Sequence, residues 1–420
     1  MNYAQNTIPQ IDKNSFGHIE AIKLSNYSFI LKSSNSDFMN NFDSLKYDFS
    51  QIDWPSFWDL AIRNKINLII YKNIIDSNLN TRLDCVSEAI STYTLSQQKK
   101  GLLLIYELIK VINVLEKSYI NAIPYKGAIL SQIIYGSPGL RVFDDLDIIL
   151  PFIDYLKPKD TLLTIGYESP CYELLSPEQE QNFRDYFGEY VLVRSKESIC
   201  IDVHRYLLGS GELTFPRKTP NFWNRLEPIT IAGQEILTLS PHDLLLYLCM
   251  NALKDDWVIL RYACDISGLI QSHPNLNWQK LQDESYNLKI DRIFHMSLLI
   301  VHQLLDTPIP NRVLQSAQQD YWAQLSANWI YRKYRGQLGQ SKPIFFSGFL
   351  LKLIALKYGR DRLLYLSGIV TRFSKLAFVI NYRDTNFIKL PSSLSFLYYI
   401  VRPIRFVVEH KMNLFKLLLK

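Results

Sequence analysis

Arg141-Val-Phe-Asp144-Asp145-Leu-Asp147-Ile-Ile-Leu150 puts three carboxylates and a run of apolar residues within ten positions. From Asp145 onward, polar and apolar residues alternate until Pro151, the pattern of a half-buried strand. Residues two apart on a strand share a face. Asp145 and Asp147 are therefore expected side by side, with Leu146 and Ile148 pointing into the core. Two carboxylates held that close repel each other unless a divalent cation lies between them. The pair suits Mg²⁺, or Mn²⁺, bound to the phosphates of a nucleotide.

A two-metal phosphoryl-transfer site needs a third acid from elsewhere in the chain. Asp202, in Ser198-Ile-Cys-Ile-Asp202-Val-His204, stands inside a strand pattern where acids are uncommon. His204 follows it two residues later on the same face, able to orient a phosphate or a metal-bound acid, or to serve as a structural histidine. Upstream, Tyr125-Lys126-Gly127-Ala128 lies at a strand-to-helix junction. A glycine there lets backbone N–H groups and the helix start approach phosphates. Lys126 would add a point charge and Arg141 a planar fork toward a triphosphate. The order Lys-Gly, with no Gly-Lys-Ser/Thr, excludes a Walker loop. Further on, Trp257, Arg261 and Asp265 recur every four residues, as one helical face would. Trp257 is expected to stack on a base and Arg261 to reach a phosphate; an Arg261–Asp265 pair beside a half-buried tryptophan is the plainer alternative.

These residues carry a resemblance. A strand–Gly–helix unit, an Asp-x-Asp strand and a later strand aspartate resemble the core of the DNA polymerase β-like nucleotidyltransferase superfamily. More narrowly, YKGAILSQIIYGSPGLRVFDDLDIIL followed by IDVHRYLL is similar to the bacterial family labelled "uncharacterised nucleotidyltransferase". The likeness extends to IDWPSFWDLAIRNKINLIIYKNI, to DWVILRYACDISGLI and to PSSLSFLYYIVRPIRF, and so spans residues 52–411. The resemblance implies metal-dependent transfer of a nucleoside monophosphate from an NTP, with release of pyrophosphate. It implies that Asp145 and Asp147 bind metal, that Asp202 completes the site and helps activate the acceptor hydroxyl, and that Gly127 faces phosphates. The acceptor, a hydroxyl or phosphate on a small molecule, RNA or protein, is not implied. One departure stands out: the superfamily's usual Gly-Ser is Gly127-Ala128 here, without a serine hydroxyl. That departure supports an alternative, a catalytically inactive nucleotidyltransferase-like binding or scaffold protein.

The chain around this core is long enough for several units: 420 residues, 48% hydrophobic and 20% charged. Apolar spacing of three and four predicts helices from Asp53 to about Leu115 and again after Ser240. Ser240-Pro241-His242-Asp243 is a helix start, with a Ser cap, Pro at the first position and an acid in the first turn. That context also argues against His242-Asp243 as a phosphohydrolase metal motif. Two hairpins are expected, around residues 195–198 and 232–233. The expected fold class is therefore α+β, a small mixed β-sheet core, a nucleotidyltransferase core as the resemblance implies, flanked by N- and C-terminal helical segments. The boundaries are residues 1–118 for an N-terminal arm and helical segment, 119–238 for the α/β core, 239–336 for a helical domain and 342–420 for a basic helical region, after a linker at 337–343.

That last region holds fourteen Lys and Arg against three acids, a local charge of +11, which leaves −5 on the rest of the +6 chain. The excess suggests a weak contact with an anionic membrane or nucleic acid, against the plainer reading of cationic side chains covering apolar helices. The longest stretches without a charged residue, 127–140 and 266–279, have 14 residues each, short of a spanning helix. The N-terminus lacks the pattern of a secretory signal. Five cysteines, never spaced Cys-x-x-Cys, suit free thiols, so a cytoplasmic location is expected. There is no Gly-x-Ser-x-Gly to suggest a serine hydrolase.

Overall fold

A computed structural model of the chain describes residues 52–76, 86–169, 188–195, 197–207, 222–336, 345–378 and scattered positions from 387 to 405. The arm at 1–50, the linker at 337–343 and residues 379–386 and 406–420 of the basic region lie outside the described residues. Among the described residues there are thirteen α-helices and two small sheets, an α+β fold.

Short apolar runs build the main sheet: β1 (Ile123–Pro124), β2 (Leu146–Ile149), β3 (Glu189–Arg194) and β4 (Ile199–His204). Their order is β1-β2-β4-β3, with β2 and β4 parallel in the middle and antiparallel strands outside. All four residues of β2 are buried, as a strand covered on both faces requires. Pro124 is tolerated because β1 is an edge. The expected hairpin around 195–198 is the β3–β4 pair, and the one around 232–233 is β5 (Glu227–Ile231) with β6 (Gln234–Thr238). The ladder between β2 and β4 begins at Leu146 opposite Ile201. Asp145 consequently stands in a bend just before β2, rather than inside the strand as its alternation suggested.

The sheet separates two cores. On one side, Leu146, Ile148, Ile201 and Val203 pack with Leu104, Leu108, Val111 and Leu115 of helix α3 (Glu88–Lys117). On the other, Tyr125 and Ile149 join an assembly of helices: α1 (Trp54–Arg63), α2 (Asn67–Asp76), α6 (Pro241–Lys254), α7 (Arg261–Ser272) and α9 (Asp291–Leu305). Helix α4 (Gly127–Tyr135) bridges them, with Ala128 and Ile129 in the first core and Leu130 and Ile134 in the second. It ends at Gly136, whose φ of 65° makes a left-handed cap. Gly268 lets α7 cross α4 closely, since a Cβ there would meet Ile134 Cγ2 at 2.2 Å.

Three helices, α5 (Lys157–Leu163), α8 (Trp278–Asn287) and α10 (Asn311–Gln319), fill the periphery. Helix α11 (Tyr321–Gly336) leads toward the basic region, whose described part is α12 (Phe345–Ala355) and α13 (Gly359–Phe378). Leu351, Ala355 and Tyr365 of that region join the helical core. Lys352 pairs with Asp256 at 3.0 Å and Lys357 with Asp291 at 2.5 Å, so part of its charge is answered by the acidic body. No helix among the described residues is long and apolar enough to cross a membrane.

Candidate active site

Parallel register between β2 and β4 sets Asp147 opposite Asp202 and Ile149 opposite His204. Period-two alternation then puts Asp147, Asp202 and His204 on one face, with Asp145 one step before the strand. Asp147, Asp202 and His204 each offer a ligating atom, all within 4.8 Å of one another. The start of α4 lies beside them. Gly127 holds φ at 46°, and a Cβ there would sit 3.1 Å from the Phe143 ring. A side chain would thus be strained in two ways.

Lys126, at the cap position of α4, makes no side-chain cap. Its ammonium turns instead to Asp147 Oδ1 at 2.6 Å, and stands 5.3 and 5.7 Å from the ring centres of Tyr125 and Tyr247. Tyr247 donates its hydroxyl to Asn251 Oδ1 at 3.1 Å, whereas the buried Tyr125 hydroxyl has no hydrogen-bond partner among the described residues. His204 Nε2 lies 2.9 Å from the same Asp147 oxygen, and its Nδ1 is 3.6 Å from Glu189 Oε2. Cys200 donates its thiol to Asp202 Oδ1 at 3.6 Å.

The carboxyls respond differently to this setting. Burial would raise Asp147, but the Lys126 charge and the His204 hydrogen bond pull it well below the usual carboxylate range. Asp202 is pushed up to about 6, by burial first and then by the charges of Asp147 and Asp145, against His204 and Lys126. Asp145 is raised by burial and by Asp147. For Lys126, burial works against the charge, yet Asp147 and the two tyrosines outweigh it and hold the ammonium well above its ordinary value. Asp145 and Asp202 are thus raised first by burial and then by the charge of Asp147, which the Lys126 ammonium offsets only in part. A donor set rich in carboxylate oxygen and short of positive charge fits a divalent cation.

Several residues expected at the phosphates are placed otherwise. Arg141 is buried and turned inward, giving Nε and Nη2 to the two oxygens of Asp265 at 2.9 Å each, instead of offering its fork to a triphosphate. Ser131 Oγ fixes this stretch, accepting the N–H groups of Leu140 and Arg141 at 3.0 Å and donating to the Ser137 carbonyl. Trp257 does not share a helical face with Arg261 and Asp265. It precedes α7, has φ of 49° and is fully buried in the helical core, so it cannot stack on a base. Arg261 opens α7 and donates Nη1 to the Val142 carbonyl at 2.8 Å, while its Nε is buried without a hydrogen-bond partner among the described residues. Burial, then the neighbouring Arg141, lowers its pKa. Ala128 packs into the sheet core and offers the site only backbone. Asp144 faces outward and holds Lys65 at 2.8 Å and Lys100 at 2.6 Å. At the other suggested motif, the Asp243 carboxylate accepts from the Ser240 hydroxyl and from Arg225, the Asp243 N–H donates to Ser240 Oγ, and His242 Nε2 accepts from the Asn277 N–H. Among the described residues no metal-binding group includes His242 or Asp243.

Tyr247, Glu189 and Ser131 carry no signal in the sequence that marks them as neighbours of the site. Glu189 opens an ordinary strand pattern, and only the antiparallel register opposite His204 brings it in.

Among solved structures, the chain is similar to the crystal structure of an antigenic nucleotidyltransferase-like protein from Paracoccidioides brasiliensis. The identity is 16% and the TM-score 0.27, over 49% of this chain and 93% of that one. No curated protein matches the sequence. Residues 50–306, more than half of the chain and including every residue of the carboxylate cluster, match the family described as uncharacterised nucleotidyltransferase, and the chain belongs to that family.

Proposed function

We propose that the chain is a metal-dependent nucleotidyltransferase that moves a nucleoside monophosphate from an NTP to a hydroxyl or phosphate acceptor, releasing pyrophosphate. The observation that supports it most is the pair of carboxylates Asp147 on β2 and Asp202 on β4, which share one sheet face beside the start of α4, with Asp145 in the bend just before β2. Asp145, Asp147 and Asp202 would hold Mg²⁺ or Mn²⁺. When bound, the cation neutralises charge that develops on the phosphoryl oxygens during transfer.

The chain's own residues do the rest. Gly127 brings backbone N–H groups at the start of α4 up to the phosphates with no side chain in the way. Arg261, a half-buried guanidinium at the start of α7 that donates to the Val142 carbonyl, adds positive charge on that side. Arg141 acts at one remove, fixing the loop between α4 and β2 through Asp265. Asp202, raised to about 6 by burial and then by the charges of Asp147 and Asp145, is suited to take the proton of an acceptor hydroxyl. Positioning and electrostatics therefore supply the catalysis.

The test is a thermal-shift titration with each NTP, with and without Mg²⁺ or Mn²⁺, paired with pyrophosphate release. Wild type should be stabilised only with nucleotide and metal together, and the Asp145→Asn/Asp147→Asn double variant should not respond. Equal stabilisation of both proteins would sink the proposal. Metal-independent nucleotide binding without pyrophosphate release would instead support a binding protein, the reading that Ala128 favours by lacking a hydroxyl.

A further inference from the structure

Helix α11 has two apolar sides, and the helical core takes only one of them. Ala323, Ala327 and Ile330 are fully buried in that core. Trp322, Leu325 and Trp329, spaced three and four apart on the side turned away, are 43%, 42% and 38% exposed. The exposed Arg332 ends the stripe. The next two helices repeat the arrangement. Helix α12 packs on α11 and turns Leu351 and Ala355 inward, while Leu350 stays exposed. Tyr365 of α13 stacks on Phe349 of α12, and Leu363 and Leu366 stay exposed. Single apolar residues on a surface need no explanation, whereas a stripe with two tryptophans does.

The charge around this stripe has one sign. From Thr307 to Arg360 there are eight Lys and Arg and a single acid, Asp320. That acid is spent on Arg292 and on the N–H groups of Trp322 and Ala323. Asp256 and Asp291 answer Lys352 and Lys357, yet the chain from Lys342 onward still holds fourteen Lys and Arg against three acids.

We propose that α11 and the basic region after it form a docking surface for an anionic lipid bilayer. Trp322, Leu325 and Trp329 enter the interfacial layer, and the cations from Arg332 onward meet the headgroups. Tryptophan suits that boundary, being an apolar ring with one polar N–H. Leucine beside it and Lys and Arg around it complete the chemistry of an interfacial helix. A single-stranded nucleic acid would use the rings and the cations but leave Leu325, Leu363 and Leu366 unmatched. A second copy of the chain would set like charge against like charge. The body before residue 342 carries a net −5 and is repelled by the same lipids, which gives the contact one orientation. This surface goes beyond the transfer reaction and does not depend on it.

Flotation of the full chain with phosphatidylcholine vesicles, with and without phosphatidylglycerol, tests the proposal. Wild type should float with the mixed vesicles and at least about 10-fold less with pure phosphatidylcholine. Salt at about 0.5 M should weaken the binding. Trp322→Ser/Trp329→Ser should lower partitioning by about 10-fold or more. Leu102→Ser/Leu103→Ser, which removes two exposed apolar residues of α3 outside the positive stretch, should leave it unchanged. Brominated lipid should quench wild-type fluorescence. Trp322→Phe/Trp329→Phe should still bind but lose most of that quenching, since the other five tryptophans are buried or half-buried. No flotation of wild type, equal flotation with neutral vesicles, or equal loss in the two Ser variants would overturn the surface. So would binding of single-stranded RNA without binding of vesicles. A concentration-dependent dimer that the tryptophan-to-serine pair dissolves, and that does not bind vesicles, would overturn it as well. Should that pair fail to fold, the Phe pair carries the test, and quenching unchanged in it overturns the proposal. None of these outcomes bears on the nucleotidyltransferase reading.

Discussion

Two buried aspartates, Asp147 and Asp265, each meet a cation contributed by the stretch around α4, and they serve different ends. Asp265 spends both oxygens on one guanidinium in a fork-to-fork pair with Arg141, side chains 1% and 7% exposed. Charge there is balanced and hydrogen bonding is satisfied, as a structural pair requires. Asp147 gives one oxygen to two donors while Asp145 and Asp202 crowd beside it, and both neighbours hold their protons more tightly than usual. Burial alone does not tell a structural carboxylate from one suited to a cation. The local charge balance does, because uncompensated like charge in a low-dielectric setting is stable only with a counter-ion.

Breaking the balanced pair should have the largest effect on stability. Asp265→Ala leaves Arg141 buried beside Arg261 with no carboxylate, and should lose about 3–5 kcal/mol in urea denaturation. A loss below about 1 kcal/mol would mean that the two regions do not differ as described.

The opposite sign is expected in the carboxylate cluster. Asp202→Asn should stabilise the metal-free chain on the order of 1–3 kcal/mol at pH 7.5, while abolishing any stabilisation by Mg²⁺. The pH dependence follows. With its folded value raised to about 6, Asp202 binds a proton in the folded chain before an unfolded aspartate near 4 does. Wild-type stability should therefore fall as pH rises through about 6 and recover as acid is added toward about 4. Denaturation midpoints at pH 5 and pH 7.5 measure this, and the Asn variant should lack that part of the slope.

A smaller effect is expected at the helix start. Gly127→Ala places a Cβ against Phe143 in a left-handed backbone, at a cost of about 1–2 kcal/mol. It should weaken nucleotide-dependent stabilisation more than it lowers Tm. The smallest belongs to Asp144, whose partners Lys65 and Lys100 are well exposed. Burial opposes their pull, yet they hold it down to about 2, so its contribution is present above about pH 4 and disappears as pH falls through about 2. Asp144→Asn should change stability at pH 7 by less than about 1 kcal/mol.

Much of the site can be read from linear order, and the reason is period. Asp145-Leu146-Asp147 and Asp202-Val203-His204 alternate, and a strand converts alternation into a shared face whatever the rest of the chain does. Gly127 likewise marks a helix start through local backbone geometry, and Ser240-Pro241 begins α6 as capping chemistry demands. Trp257, Arg261 and Asp265 misled because spacing of four reads as one helix only if the helix is unbroken. The turn at Asp256 and Trp257, both with positive φ, ends α6 and restarts the phase at Arg261.

The sequence by itself determined the short-range parts of this protein: the alternating acids, the glycine at the start of α4, the capped helices and the concentration of positive charge after residue 342. Tertiary structure decided the pairings. Arg141 and Asp265 are separated by 124 residues, Glu189 stands opposite His204 through antiparallel register, and Lys126 turns to Asp147, 21 residues further along the chain. Long charged side chains have many reachable partners in an unfolded chain. Which one each takes depends on the strand order and helix crossings that surround it, and those are properties of the whole fold.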